Sequence, residues 1–475
     1  VSAVVGKSKR FTNSHTRDIE SIGDTMAKRE LGLVFDCITE NCIEQMKTSH
    51  VYFVDDAKRG WKSVDSAITN MLIEGENYQA LRTLLYTHAG KIDCIYIDPP
   101  YGTGNNDFVY NDVFVDEEDT YRHSKWLSFM KNRLEIAHRL LTDEGMIFVS
   151  IDENEFAHLK LLLDQIFGEQ NMMATIIWDK RNPKGNVNHF ACVHEYIFVY
   201  AKNKTSIGKL LVKKSNAEMM VAKANELFAK NNLIDANKEF GKWLKTSEFS
   251  GGEKHYNKID ESGRVWRSVS LCAPGSGVFY DVIHPITKKP CKTASRGWKV
   301  KNETMIDMIR SGQIVFGKDE TTVPMRKYYL DEYMFQSPTT IYSSAVNGVD
   351  DLPDGIEFSY PKPVSLIKHL IGINGKKNAI ILDFFAGSGT TGQAVAEVNR
   401  EDGGNRQFIL ITNNDKSDRL PNGIARDCTY PRLEKTIKEY TNLRYLRVET
   451  LKHTDKHPSD SAKIAQLQVE NRRIL

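Results

Sequence analysis

Several features are scarce or missing in this 475-residue chain, and each absence removes a class of protein. Its seven cysteines (Cys37, Cys42, Cys94, Cys192, Cys272, Cys291 and Cys428) never form a Cys-x-x-Cys pair, which argues against a zinc site or a disulfide framework, and no metal is expected. No stretch approaches the ~20 consecutive apolar residues of a membrane span, and residues 1–10 lack the apolar core of a secretory signal. The expected compartment is therefore the cytoplasm, with no membrane partner. Internal repeats and low-complexity tracts are also missing. Charge of one sign is not in excess overall, since 64 Lys+Arg against 62 Asp+Glu leave +2. Its distribution is uneven, however. Residues 201–350 hold 24 basic and 16 acidic side chains, or +8, and the remainder holds 40 and 46, or −6. A basic block on a near-neutral chain suits a domain that faces a polyanion.

What is present is an α/β rhythm long enough for two or three domains. Apolar patterning predicts strands over 71–74, 92–97, 146–151, 176–178 and 195–200, with helices over 78–86, 121–141 and 156–167. Beyond Lys202 the rhythm gives way to a Gly-, Ser-, Asn- and Lys-rich segment. It resumes with a helix over 363–371, a strand over 379–384, a helix over 390–398 and a strand over 408–412. The expected fold class is α/β, a doubly wound and mostly parallel sheet interrupted by an inserted domain. The divisions are 1–69 as an N-terminal extension, 70–202 and 351–430 as the two parts of the core, 203–350 as the insertion, and 431–475 as a C-terminal helical segment.

Two loops carry chemistry. Asp98-Pro99-Pro100-Tyr101 follows the strand at 92–97 directly, and in open parallel sheets ligands bind outside the carboxyl ends of strands. Two prolines fix φ and remove two donors, so the turn is stiff and rich in acceptors. The Asp98 carboxylate and the Pro99 carbonyl suit an amino group conjugated to a heteroaromatic ring, whose two N–H bonds they would grip. The phenol of Tyr101 offers a stacking surface for a base turned out of a duplex.

The second loop is Asp383-Phe384-Phe385-Ala386-Gly387-Ser388-Gly389-Thr390-Thr391. Gly387 and Gly389 permit a sharp bend, and Thr390 or Thr391 can cap the helix that follows. The amino end of that helix suits the methionine carboxylate of S-adenosyl-L-methionine. The loop has no P-loop lysine, and we read it as short of a full Gly-x-Gly-x-x-Gly pattern, which makes ATP and NAD poorer candidates. Asp415, just past the strand at 408–412, is the candidate for the ribose hydroxyls.

With these loops, the chain resembles the β-group amino-methyltransferases of DNA, especially the modification subunits of type III restriction systems and their solitary relatives. The resemblance runs through the segment from Asp98 to Tyr110, and through Phe358-Ser359-Tyr360-Pro361-Lys362-Pro363. It implies methyl transfer from S-adenosyl-L-methionine to N6 of a flipped-out adenine in double-stranded DNA. It also implies that Phe358, Lys362 and Pro363 help line the cofactor pocket and that the insertion is a target-recognition domain. A homodimer is the expected assembly, and a restriction (helicase/nuclease) subunit is a candidate further partner. Trp266, Tyr280, Trp298, Tyr328 and Tyr329 of the insertion are aromatics available either to bases or to the core. Rival readings are methylation of cytosine N4, an RNA substrate, a catalytically silent DNA-specificity subunit, and a small-molecule dehydrogenase.

Overall fold

The computed structural model describes residues 33, 35–65, 68–104, 108–111, 113–181, 189–214, 216–247, 249, 251–344, 346–416 and 419–452. Parts of the loop at 98–110 and the charged tail at 468–475 therefore lie outside the described residues. The chain divides into two compact units, residues 1–208 with 339–475, and residues 209–338.

The first unit is built on a ten-stranded sheet. Numbered in chain order, its strands are β1 (Ser49–Asp55), β2 (Asn70–Glu74), β3 (Ile92–Ile97), β4 (Leu141–Ile151), β5 (Met172–Asp179), β6 (His194–Ala201), β7 (Ile341–Ser343), β8 (Ile380–Asp383), β9 (Gln407–Thr412) and β10 (Leu443–Lys452). Their spatial order is β1-β10-β2-β9-β8-β3-β4-β6-β5-β7. The six from β10 to β4 run parallel, whereas β1 and β6 pair antiparallel with their neighbours.

The central strands are apolar along their length because both faces are covered. Ile95, Ile97, Ile147, Val149, Ile409 and Ile411 share one core with Leu81, Leu84, Trp126, Met130, Leu134 and Leu163, which come from the helices Asn77–His88, Arg122–Leu140 and Phe156–Phe167. The alternate residues Cys94, Tyr96, Phe148, Ile381 and Leu410 are equally buried but lie outside that cluster, as the pleat requires of the opposite face. The helices Val364–Asn374 and Thr390–Asp402 pack on each other and contribute nothing to the first cluster. This two-sided cover is the doubly wound arrangement expected from the sequence.

Three expected boundaries change. The described residues from 431 to 452 are not wholly helical, and 453–475 lie outside the described residues. A helix spans only Tyr430–Ile437, and Leu443–Lys452 then enters the sheet as β10. The N-terminal stretch is not simply an extension, because Ser49–Asp55 forms β1 against β10. The compact insertion covers 209–338, not 203–350, since β7 pairs in parallel with β5.

Among its described residues the second unit has cores of its own. The helices Ala217–Lys230 and Leu233–Thr246 pack through Met220, Ala224, Ala236 and Phe240. Leu271, Val282, Trp298 and Met305 form the other cluster. Trp298 is fully buried, its indole donating to the Tyr280 carbonyl at 3.0 Å, and Trp266 and Tyr329 are buried as well. Among the described residues no helix of either unit is long and apolar enough to cross a membrane.

One buried charge ties the helices to the sheet edge that matters below. The Arg133 guanidinium donates to both Glu40 oxygens at 3.0 and 2.9 Å, to Glu76 at 2.6 Å and to Asn77 at 2.5 Å, and it stacks on Phe129. Burial opposes its charge, but Glu76 and Glu40 outweigh that and hold its pKa above the ordinary value. Arg133→Met leaves the buried Glu40 carboxylate unpaired, and the expected loss is about 3 kcal/mol or more in urea unfolding. A loss within ~0.5 kcal/mol would show that the network contributes nothing net.

Candidate active site

β3 runs straight into Asp98 and β8 ends at Asp383, and the two strands are hydrogen-bonded parallel neighbours, with Cys94 opposite Ile381 and Ile95 opposite Leu382. Both loops singled out from the sequence therefore leave the same edge of the sheet side by side.

The turn after β3 is clamped from the helical layer. The buried Trp126 indole donates to the Pro100 carbonyl at 2.7 Å. Gly102 follows at φ 65°, and a Cβ there would stand 3.2 Å from Cγ and Oε1 of Glu155. Glu155 is itself buried and held by His123 and His158, whose Nδ1 atoms lie 2.7 and 2.8 Å from its two oxygens.

Around Asp98 lies a four-charge cluster. The Lys362 ammonium donates to both Asp98 oxygens at 2.8 Å and to the Tyr101 hydroxyl at 2.9 Å, with Glu195 Oε2 at 3.3 Å. The Tyr101 hydroxyl has one hydrogen and two acceptors in reach, Asp98 at 2.9 Å and Glu195 at 3.0 Å. Lys180 donates to the other oxygen of Glu195 at 2.7 Å. Two carboxylates thus face two ammonium groups. Burial raises the Asp98 carboxyl above its usual range, against the pull of Lys362. For Glu195 burial also pushes upward, but Lys362 and Lys180 prevail and bring it down to about 2.

The bend after β8 is fixed by side chains turned inward. Asp383 is buried and accepts the Phe385 amide at 3.0 Å and the Thr391 hydroxyl at 2.5 Å, so its carboxylate braces the loop. The Phe384 carbonyl receives the Asn77 side chain at 2.9 Å, and Phe385 packs on Phe129. Ala386 donates its amide to the Ile411 carbonyl. Gly387 and Gly389 sit at φ 48° and 83°, conformations that disfavour any Cβ, and the ring of Phe358 lies where a Cβ on Gly387 would meet it at 3.1 Å.

The helix Thr390–Asp402 starts at Gly389 without a side-chain cap, which leaves its first amides for an anionic group. The hydroxyls of Ser388 and Thr390 accept from Arg432 Nη1 at 2.8 Å each, while the buried Arg432 Nη2 has no partner. An uncapped helix start with a spare guanidinium N–H fits the carboxylate end of S-adenosyl-L-methionine.

The residues matched by a model of the N6/N4 DNA methylase family are 92–417, about two thirds of the chain, and both loops fall inside them. The chain belongs to the DNA methylase family. Curated relatives agree. The Mod subunit of the type III restriction-modification enzyme EcoP15I from Escherichia coli is 34% identical over 409 residues, 78% of this chain and 63% of that protein. The StyLTI Mod subunit of Salmonella typhimurium is 31% identical over 467 residues, 90% and 62%. The type II methyltransferase M.KpnI of Klebsiella pneumoniae is 28% identical over 476 residues, 92% of this chain and 100% of that protein. The chain thus spans under two thirds of the length of these Mod subunits. The mostly parallel, doubly wound sheet is the Rossmann-like fold class expected from the sequence.

The residues expected from the sequence to form the site fall in different places. Lys362, expected to line the cofactor pocket, donates through its ammonium to Asp98 and Tyr101. Its chain neighbours do differ: Phe358 touches the bend, and Pro363 opens the helix Val364–Asn374. Asp415 lies exposed three residues past β9, bonded by the Asn413 side chain. The glycine spacing is in fact complete, because Gly392 follows Gly389. It serves helix packing, since a Cβ there would meet Leu433 at 2.8 Å and Leu410 at 3.0 Å. Sequence reasoning missed Glu195, Lys180 and Trp126. The available signal was a carboxylate opening an otherwise apolar strand, at the end of β6 that its antiparallel course brings to the active edge.

Asp383 gives a pH test. Burial raises its carboxyl from 3.8 to about 7, so the folded protein keeps a proton that the unfolded chain releases between about pH 4 and 7. Stability therefore falls as pH rises through that window, by at most ~1.4 kcal/mol per unit. In Asp383→Asn this slope is expected to vanish, so the stability of wild type relative to the variant should decline from pH 4 to 7. A constant difference would refute the assignment.

Proposed function

We propose that the protein is a site-specific DNA methyltransferase that modifies N6 of an adenine turned out of duplex DNA, as the modification component of a restriction-modification system. The observation that carries this reading is the pairing of β3 with β8, which sets the Asp98 turn against the Gly387–Gly389 bend. S-adenosyl-L-methionine, when bound, supplies an electrophilic methyl group on its sulfonium. The protein's own residues do the rest. The uncapped amides at Thr390 and Thr391 and the Arg432 guanidinium hold the carboxylate end of the cofactor, Phe358 and Pro363 bound its pocket, and Asp415 takes the ribose hydroxyls. Asp98 and the Pro99 carbonyl accept the two N–H bonds of the base amine, favouring the tetrahedral nitrogen whose lone pair points at the methyl. Pro100 keeps that turn stiff, and the Tyr101 ring stacks on the base. The proton leaves after transfer, since a methylated ring ammonium is strongly acidic.

For DNA as partner, the support lies in the insertion. Arg267 and Arg326 lie 6.0 and 5.0 Å from the Tyr328 ring, which stacks on Tyr333 with centroids 4.5 Å apart, and Lys214 lies 4.7 Å from the Tyr256 ring. Among the described residues none of these three cations has a carboxylate within ion-pair distance, and cations over aromatic faces suit phosphates and bases. Adenine over cytosine rests on Asp at position 98 and on the Mod relatives. The homodimer and a restriction subunit remain part of the same proposal.

Asp98→Ala is expected to lower labelled methyl transfer to unmethylated DNA by about 10²-fold or more. Calorimetric binding of S-adenosyl-L-methionine should survive. Near-wild-type turnover refutes the role of Asp98. Nucleoside analysis of the product by mass spectrometry should find N6-methyladenine, and N4-methylcytosine would replace the adenine assignment.

A further inference from the structure

Asp98 has to accept a base amine, yet Lys362 already donates to both its oxygens at 2.8 Å and the Tyr101 hydroxyl to Oδ1 at 2.9 Å, so a base amine competes with these donors for the carboxylate. The ammonium has three hydrogens and four acceptor atoms around it: the two Asp98 oxygens, the Tyr101 hydroxyl and Glu195 Oε2. It is shared between two carboxylates. Glu195 is the better anchored of these, because β6 is flanked by β4 and β5 and its second oxygen is fixed by Lys180. The Tyr101 hydrogen can turn from one carboxylate to the other without moving the ring.

We propose that Glu195 is a positioning residue for Lys362: fixed by Lys180, it draws the ammonium off one oxygen of Asp98 and so frees that oxygen for the base amine. The proposal rests on the methyltransferase reading. Within the cluster the two carboxylates and two ammonium groups sum to zero charge, so the shift of Lys362 requires no proton transfer. Lys362 needs to travel little, since it is already 3.3 Å from Glu195. Without Glu195 the ammonium has a single carboxylate to satisfy it and caps the acceptor, while Lys180 loses its partner.

The test compares wild type with Glu195→Gln, using methyl transfer to unmethylated genomic DNA and calorimetric binding of S-adenosyl-L-methionine. In Glu195→Gln kcat should fall about ten- to a hundredfold while cofactor Kd stays within about twofold. Asp98 is faced by Lys362, Glu195, Tyr101, Tyr96 and Asp383, and Glu195 is one of the groups that raise its pKa. Removing it should therefore move the acid limb of the kcat profile to lower pH, which a merely structural loss would not do. In a Lys362→Met background the Glu195 substitution should cost no more than about a further twofold, and multiplication of the two single losses would overturn the proposal. If Glu195→Gln melts early, Lys180→Met takes its place, with kcat expected to fall in the same direction and cofactor binding retained; unchanged kcat there overturns the proposal. A wild-type protein that transfers no methyl group sinks the methyltransferase reading itself. Wild-type transfer alongside an unaltered rate and pH profile in Glu195→Gln sinks only the role of Glu195.

Discussion

The pairing of β3 with β8 is the constraint on which the site depends. These strands come from parts of the chain some 280 residues apart, yet Cys94 faces Ile381 and Ile95 faces Leu382 in a parallel ladder. Parallel neighbours send their carboxyl ends to one edge, so Asp98 and Asp383 emerge together whatever lies between them in sequence. That is why a compact unit of 130 residues can be inserted between the two halves without separating them. It also explains why β6 contributes: as an antiparallel strand beside β4, it begins where the parallel strands end, and Glu195 stands at that beginning.

The two loops are fixed by opposite means. After β8 the side chains of Asp383 and Thr391 turn inward and the glycines keep side chains off the outer surface, so backbone groups are left to face a ligand. After β3 the backbone is immobilised by two prolines and the Trp126 bond to Pro100, and the side chains of Asp98 and Tyr101 do the facing. The Arg133 network joins these supports, because Asn77, which receives one of its N–H groups, also holds the Phe384 carbonyl. One buried guanidinium thus reaches from the helical layer to the glycine bend.

Much of the core was legible because strands buried on both faces leave an unbroken apolar signature and helices over them an amphipathic one: the strand 92–97 and the helix 156–167 were read at their observed bounds. The misses have separate physical causes. β10 reads Leu-Arg-Tyr-Leu-Arg-Val-Glu-Thr-Leu-Lys, half exposed along its later part, so its apolar content is diluted by charge and its strand character is hidden. β7 has three residues and no periodicity to display. The placement of Lys362 was not legible from its neighbours, because the carboxylate that fixes it lies 264 residues earlier and reaches it only through the sheet. Trp298 of the insertion resolved in the ordinary direction for a large aromatic, into the core.

The charge arrangement at the edge follows from burial. A single carboxylate at position 98 with no counter-ion would take up a proton, since removing an ion from water is costly, and a protonated acid is a poor acceptor for an amine. One lysine keeps Asp98 ionised but competes for the same oxygens. A second carboxylate divides that lysine's attention, and a second lysine keeps the second carboxylate ionised in turn. Four charges are therefore the smallest neutral set that leaves Asp98 both charged and able to exchange a partner, which is why Glu195 and Lys180 belong to the site although neither loop contains them.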